Sequence, residues 1–207
     1  MNKHLVALGS ALLFTASLPV LAASTTELTV TGVITPSACT PTLPGAVDYG
    51  KISVQDLQAD RYTNLERRTL QLSVNCDAAT LFAISPIDNR AGSAIHGSAF
   101  GLGLINENQK LGRYHLTFGN PAADPPSTLL TRDEVNNRWY LLFDDDAVRP
   151  NDLVALGSLT DSGWIPHPLQ NATMDITLHT AIAATNTLTL TSEVALDGSA
   201  TMEVKYL

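Results

Sequence analysis

The sequence predicts an all-β sandwich. Several stretches alternate apolar and polar residues with a period of two, turn signals recur about every ten residues, and no stretch keeps a helical period. The clearest alternation is Thr69–Cys76, where Leu70, Leu72, Val74 and Cys76 share one face. This pattern predicts a central strand whose apolar side chains point into a core.

Residues 1–23 are predicted to be a secretory signal peptide. Lys3 lies in a short polar start, Leu5–Leu18 form an apolar run, and Ala22 and Ala23 fit the small residues of a cleavage site. The apolar run is shorter than the roughly 20 residues that a membrane span requires. We therefore expect an exported chain with no membrane insertion.

The charge of the mature chain argues against two classes of partner. Without Lys3, 11 of the 12 basic residues remain against 20 acidic ones, which gives a net charge of 11 − 20 = −9. Nucleic acids and anionic membrane surfaces are bound through basic patches, and none is visible. The remaining length suits a single domain.

Two cysteines, Cys39 and Cys76, are the only ones in the sequence. In an oxidising compartment such a pair is expected to form a disulfide. Closing the loop between Cys39 and Cys76 would stabilise the fold by roughly 4 kcal/mol in the chain-entropy model. A zinc or redox site is not expected, because there is no CxxC pair and no clustered histidine.

The stretch before Cys39 has the pattern of an extended strand. Between Thr26 and Thr35, Leu28, Val30, Gly32 and Ile34 alternate with mostly polar residues, so one face is apolar. This segment lies outside the predicted disulfide loop. It is interpreted either as an arm that serves another molecule or as an ordinary first strand of the chain's own sheet.

The rest of the chain is predicted to consist of short strands separated by turns. The final strand is expected to turn Ala200, Met202, Val204 and Tyr206 inward. Turns are expected at 40–45, 120–127, 161–171 and at the Asp-Gly pair in 196–199. Beside Thr69–Cys76, the predicted strands are 46–52, 81–87, 100–105, 113–118, 139–143, 172–183, 186–194 and 200–207.

No pattern of catalytic or metal-binding residues is visible. His96, His115, His167 and His179 lack ligand spacing, and 144–146 lacks the alternating oxygen pattern of a calcium loop. No serine has the spacing of a nucleophile elbow. The sequence therefore predicts no enzyme, metal or cofactor.

An aromatic run, Trp139–Phe143, is accompanied by Trp164 later in the chain. Aromatic side chains serve both core packing and ligand surfaces. The sequence leaves the two uses open and favours packing.

Taken together, these features resemble the subunits of chaperone–usher fimbriae, and more closely the periplasmic fimbrial-like proteins of unassigned function. The resemblance covers most of the mature chain at the level of pattern. It is carried by the signal peptide, the arm Leu28–Ile34, the entry Thr35–Cys39, Cys76 closing its strand, the stretch Phe100–Leu104 and a last strand with Tyr206 next to the end.

The resemblance implies an immunoglobulin-like sandwich that lacks its final strand. Residues 24–38 would be a donor-strand extension and 39–207 the pilin-like body, with Leu28, Val30, Gly32 and Ile34 as the donor side chains. A periplasmic chaperone would fill the groove during export, and the arm of a neighbouring subunit would replace it at an outer-membrane usher. The chain would then act in cell adhesion as part of a periplasmic or cell-surface fimbrium. The terminal strand and chaperone contact would be Met202, Val204 and Tyr206.

Two departures favour a minor or adaptor subunit over a bulk shaft subunit. Val194 stands where the family often has a glycine, with Gly198 nearer the end, and the chain carries extra residues between about 88 and 168. An alternative is a soluble periplasmic binding protein on the same fold whose own arm completes its sandwich.

Overall fold

The protein is described by a computed structural model over residues 29–31, 38–133 and 137–207. By its internal contacts the chain divides into residues 1–34 and 35–207. Every strand belongs to the second unit, which is called the body below. The predicted signal peptide and most of the predicted arm fall outside the described residues.

The described residues form an all-β protein, as predicted. Their only helical segments are two 3-10 turns, Val54–Asp56 and Thr185–Thr187. None of the described helices is long and apolar enough to cross a bilayer. The strands are β1 Cys39–Thr42, β2 Thr63–Asn64, β3 Arg68–Thr80, β4 Phe82–Asp88, β5 Phe100–Gly101, β6 Leu104–Ile105, β7 Gln109–Lys110, β8 Gly112–Ala123, β9 Thr128–Asp133, β10 Arg138–Leu141, β11 Val154–Thr160, β12 Gly163–Pro166, β13 Leu169–Ile182 and β14 Ala200–Tyr206.

Two six-stranded sheets make up most of the body. The first has the order β1-β3-β13-β8-β5, with β2 added beside β13. The second has the order β12-β10-β9-β11-β4-β14. Because β12 also pairs with β11, the strands β9, β10, β12 and β11 close into a small ring at the end of the sheet away from β14. A separate hairpin joins β6 to β7.

One apolar core takes side chains from both sheets. The alternation predicted for Thr69–Cys76 is confirmed: Leu72 and Val74 are fully buried, while the residues between them face outward. Strands β8 and β13 contribute Phe118 and Ile176 from the first sheet, and β4 contributes Ile84 from the second. The fold is therefore a β-sandwich with a single core.

Two predicted strands are absent. Residues 46–52 and 188–199 form no strand, and 185–187 form a 3-10 turn instead. The hairpin predicted around the Asp-Gly pair is also wrong, because β14 pairs with β4 rather than with the preceding segment. In the second segment Leu188, Leu190, Val194 and Leu196 pack against the core. No strand of the described residues pairs with either segment.

Several other elements differ from the prediction. Residues predicted as one strand at 100–105 belong to two short strands in different sheets, β5 and β6. Strand β12 lies in the predicted loop 161–171, and β8 continues into the predicted loop 120–127. Non-local pairing determines these elements, and local composition does not reveal it.

Candidate functional site: an open seam along the sandwich

A seam runs along one side of the body between two strand-free segments. One wall is residues 43–57, which follow β1, and the other is residues 188–199 together with β14. The floor consists of side chains from the first sheet and from residues 102–111, which precede β8. All of them are apolar except Thr180. The floor residues are Leu102, Leu111, Tyr114, Leu116, Ile176, Leu178, Thr180 and Ile182.

Two cavities occupy the seam. The first, of about 310 Å³, lies between Leu43–Tyr49 on one wall and the start of β14, near Met202, on the other. The second, of about 370 Å³, lies between Gly50–Leu57 and Leu190–Leu196. Both are open to solvent and lined mainly by apolar residues, which is the character of a surface that binds an apolar segment.

A hydrogen bond crosses from wall to floor at the boundary between the two cavities. The Tyr49 hydroxyl donates to Thr180 Oγ1 at 2.8 Å. Thr180 is buried, and the guanidinium carbon of Arg68 lies 5.8 Å from the centroid of the Tyr49 ring. The seam is thus divided into two apolar compartments by a polar bridge.

Many side chains along the seam pack against the core yet stay partly exposed. They come from both walls and from the floor. On its other side β14 has no strand partner among the described residues, so its outer edge is open. An open edge beside exposed core residues is the arrangement to which a further strand can add. The partly exposed residues are Leu43, Leu57, Leu178, Leu188, Leu190, Val194, Leu196, Ala200, Met202 and Val204.

The wall at 196–199 is fastened to the loop after β4. Arg90 makes a bidentate contact with Asp197, at 2.7 Å from Nε and 2.6 Å from an Nη. The hydrogen bond and charge of Arg90 lower the pKa of Asp197, and Asp197 in turn raises the pKa of Arg90. The backbone N–H of Asp197 also donates to the carbonyl of Leu102 at 3.1 Å. This wall is held in place although it belongs to no sheet.

Close packing of Gly198 adds to this attachment. A Cβ on Gly198 would lie 3.0 Å from a methyl of Leu102 and 3.2 Å from the Tyr114 ring. Burial, followed by the charge of Asp88, raises the pKa of the Tyr114 phenol. The glycine lets this wall approach the floor closely.

The entrance of the chain into the body lies at one end of the seam. Cys39 and Cys76 form a disulfide and are directly opposite each other in β1 and β3, in agreement with the expected pairing. The backbone N–H of Cys39 donates to the Tyr206 hydroxyl at 3.0 Å. The last strand, the first strand and the disulfide therefore lie together, directly after residue 38.

Of the predicted donor residues, the structure describes only Val30, whose side chain is 88% exposed. Leu28, Gly32 and Ile34 lie outside the described residues. On the terminal strand Met202 and Val204 pack against the core as predicted.

Tyr206 is a correction, because its side chain is 51% exposed rather than turned inward. Its hydroxyl contacts β1, because the C-terminal end of β14 lies beyond the edge of the core.

Sequence reasoning missed the bridge between Tyr49 and Thr180 and the role of 43–57 as a wall. Residues 46–52 alternate well enough to be predicted as a strand, so their sequence contained no signal of a wall. Their contacts are made across long sequence separations, so no local pattern reveals them.

The aromatic run lies in the strand ring, far along the second sheet from β14. Trp139 is opposite Trp164, and the guanidinium carbon of Arg132 lies 6.0 Å from the Trp139 ring. Both tryptophans are half-buried, while Tyr140 and Phe143 are exposed. Among the described residues no group of three or more histidine, cysteine or acidic side chains could hold a metal ion.

The sequence is similar to a family of proteins and to two individual relatives. Residues 28–99 match the model of a family described as proteins of unknown function (DUF1120). This match includes the predicted arm, the disulfide, the first wall and strands β3 and β4.

Two relatives from Escherichia coli strain K12 match over almost the whole chain. Protein GltF is 28% identical over 229 residues, covering 88% of this chain and 88% of the relative. The uncharacterized protein YhcF is 25% identical over 226 residues, covering 90% of this chain and 92% of the relative. Both similarities cover far more of the chain than the matched family region, residues 28–99.

Proposed function

We propose that this chain is a periplasmic fimbrial-like subunit that assembles by strand exchange. Its body would be an immunoglobulin-like sandwich without a final strand, and its arm would complete the sandwich of a neighbouring subunit. A periplasmic chaperone would cover the seam before assembly at an outer-membrane usher. The role would be structural, as a minor or adaptor subunit.

The observation that carries this proposal is the seam itself. Its walls leave apolar core residues partly exposed beside the open edge of β14. Strand addition at such an edge supplies main-chain hydrogen bonds, while pockets for alternate side chains supply specificity. A protein left with this edge open is prone to aggregate, which gives a chaperone a physical purpose.

The predicted arm has the composition that the seam requires. Burial of Leu28, Val30 and Ile34 offers roughly 1.5 to 3 kcal/mol for each side chain, before the cost of ordering the arm. These residues flank Gly32 at a spacing of two. If Gly32 lies over the bridge between Tyr49 and Thr180, larger side chains on either side reach the two apolar compartments.

The direction of the chain distinguishes a neighbour's arm from the chain's own. Strand β1 begins at Cys39, at the end of the seam marked by Tyr206. An arm that turned back from this point into the same seam would run parallel to β14, because both would lead toward that end. An arm from another molecule can run antiparallel to β14, and antiparallel pairing is slightly more stable per residue than parallel pairing.

The first experiment measures binding of a labelled peptide with the sequence of residues 26–35 to the mature protein lacking Ser24–Thr35. We expect the truncated body to remain folded and to bind the peptide. Replacing Gly32→Val should weaken binding by about tenfold or more, since the added side chain would meet the bridge. The matched control is Thr31→Val on the polar face, which should bind nearly as well as the original peptide.

A failure of the truncated body to fold, or equal binding of the Gly32→Val and Thr31→Val peptides, would contradict the proposal. A second experiment co-expresses the full chain with a periplasmic chaperone encoded beside it. We expect the two proteins to co-purify, and the full-length subunit alone to remain folded but to self-associate, because its arm and its seam are both free. A stable, soluble monomer without a chaperone would instead favour the self-completed binding protein.

A further inference from the structure

A second polar region lies on the outer face of the first sheet, away from the seam. In the register of β3, β13 and β8, Thr69, Thr177 and Thr117 form one row across the three strands. His179 and His115 are directly opposite each other in the next row. Three neighbouring strands thus present hydroxyl and imidazole groups side by side.

These side chains line a cleft of about 430 Å³. Arg67, which immediately precedes β3, closes one side, and the loop after β10 closes the other. The size is within the range of sites that bind small molecules. The lining residues are Arg67, His115, Thr117, Asp144, Asp145, Ala147, Thr177 and His179.

The cleft is arranged by contacts within the sheet and its loop. Thr117 Oγ1 and His179 Nε2 are 3.2 Å apart, and the hydroxyls of Thr69 and Thr177 are 2.9 Å apart. The loop is fixed because the backbone N–H of Val148 donates to the Leu116 carbonyl at 2.9 Å. Donors and acceptors on the sheet are therefore pre-positioned.

One polar atom in this cluster has no partner. His115 Nδ1 is buried and makes no hydrogen bond to any group of the described residues. Buried polar atoms in folded proteins nearly always have a partner, so an exception indicates a missing ligand or solvent contact. It lies in a residue that lines the cleft.

Charge differs between the two sides of the cleft. Arg67 lies on the β3 side. Asp144 lies on the β8 side, where its carboxyl carbon is 3.8 Å from the position of a Cβ added to Gly119. Strands β3 and β8 are separated by two strand spacings, or about 10 Å, because β13 lies between them. A ligand that bridged them would meet a cation at one end and hydrogen-bond acceptors at the other.

Burial and nearby cations both disfavour the charged forms of the two histidines. Burial, followed by the charges of Arg113, His96 and His179, lowers the pKa of His115. Burial and then the charge of Arg67 lower the pKa of His179. Across the cleft the charged groups facing them are Asp144 and Asp145. A bound anion beside the imidazoles would oppose these effects and favour their protonated forms.

We propose that this cleft binds a hydroxylated organic anion of monosaccharide size, such as a sugar acid or sugar phosphate. Its carboxylate or phosphate contacts Arg67, His179 and His115. Its hydroxyls contact Thr117 and the carboxylates of Asp144 and Asp145. The inference is independent of strand exchange, because none of these residues lines the seam.

The test is calorimetric titration of the full mature protein with glucuronate, glucose 6-phosphate, glucose and inorganic phosphate. We expect at least one of the two sugar anions to bind, more tightly than either glucose or inorganic phosphate. Affinity for glucuronate, whose charge stays constant over this range, should rise about tenfold or more from about pH 7.5 to about pH 5.5, because the anion favours charged imidazole. Absence of binding by both sugar anions, or equal binding of glucose, would overturn the proposal.

Variants separate the two ends of the site. Arg67→Gln should weaken binding of the sugar anions by about tenfold or more, and the matched control Arg138→Gln, on exposed β10, should not. His179→Gln should reduce the pH dependence of binding. Asp144→Asn should weaken binding of glucose 6-phosphate, because it removes an acceptor for the sugar hydroxyls. The same variant should strengthen binding of inorganic phosphate, because it removes a negative charge. Equal effects of Arg67→Gln and Arg138→Gln, or weakening of both phosphates by Asp144→Asn, would contradict the assignment.

Discussion

The hydroxyl of Tyr206 accepts a 3.0 Å hydrogen bond from the backbone N–H of Cys39. The two residues are 167 positions apart in the sequence, yet this contact joins the edge strands of the two sheets, β14 and β1. It also marks the end of the seam at which β1 begins. A tyrosine predicted to fill the core instead acts as a link at the rim.

Removing that hydroxyl with Tyr206→Phe should destabilise the body by at most about 1 kcal/mol, because the hydrogen bond is exposed. The midpoint of urea denaturation measures the effect. Tyr140→Phe is the control, since Tyr140 is also an exposed strand tyrosine. A larger loss in the control than in Tyr206→Phe would show that the contact with Cys39 contributes nothing.

Thr180→Val should destabilise the body by about 1 to 2 kcal/mol, because it leaves the Tyr49 hydroxyl without its acceptor and keeps the side-chain shape. Tyr49→Phe tests the same bond from the other side. In a double-mutant cycle, urea denaturation should give a loss for the double variant smaller than the sum of the single losses. Additive losses would mean that the two residues do not act through this bond.

The contact between Arg90 and Asp197 should make the 196–199 wall sensitive to acid. The folded pKa of Asp197 is lowered, so the stabilisation is present above its ordinary pKa and is lost as pH falls through the folded value. Backbone ¹⁵N relaxation should report greater motion of these residues once the pH falls below the folded pKa of Asp197 than at about pH 6.

Asp197→Asn should give similar motion at neutral pH. Glu203→Gln removes the separate ion pair with Lys205 on β14 and serves as the control, which should leave the wall ordered. Unchanged relaxation in Asp197→Asn would show that packing of Gly198 alone holds the wall.

The histidine pair should make the free protein less stable as pH falls. The pKa values of His115 and His179 are lowered in the folded state, so below about pH 6.5 the unfolded chain binds more protons than the folded one. Stability measured by urea denaturation should therefore fall between about pH 7.5 and about pH 5.5.

His115→Gln should reduce this slope. His167→Gln, outside the cleft, is the control and should keep it. An unchanged slope in His115→Gln would assign the pH dependence to other groups.

The central strands of the sandwich could be predicted because their alternation records burial directly. In β3, Leu72 and Val74 are separated by an outward residue, and the same period runs through β8 and β13. Local pattern failed at 46–52 and 186–194, where apolar residues line a seam without joining a sheet. Alternation reports which side chains are buried, but it does not report whether a neighbouring strand exists.

The candidate site was only partly accessible from sequence. Met202 and Val204 could be assigned to an inward face, because one strand fixes their orientation. The bond between Tyr49 and Thr180, and the alignment of His115 with His179, join residues far apart in the chain. Such contacts depend on register between strands, which no single segment specifies.

By itself the sequence determined the all-β class, the identity of the long core strands and the cysteine pair, because each follows from a local period or from composition. Tertiary structure alone decided that residues 43–57 and 188–199 face each other across an open seam, and that a polar cleft forms on the opposite side of the first sheet. The physical reason is that backbone pairing and cavities are properties of the space between segments. They arise only when strands distant in sequence are brought into register.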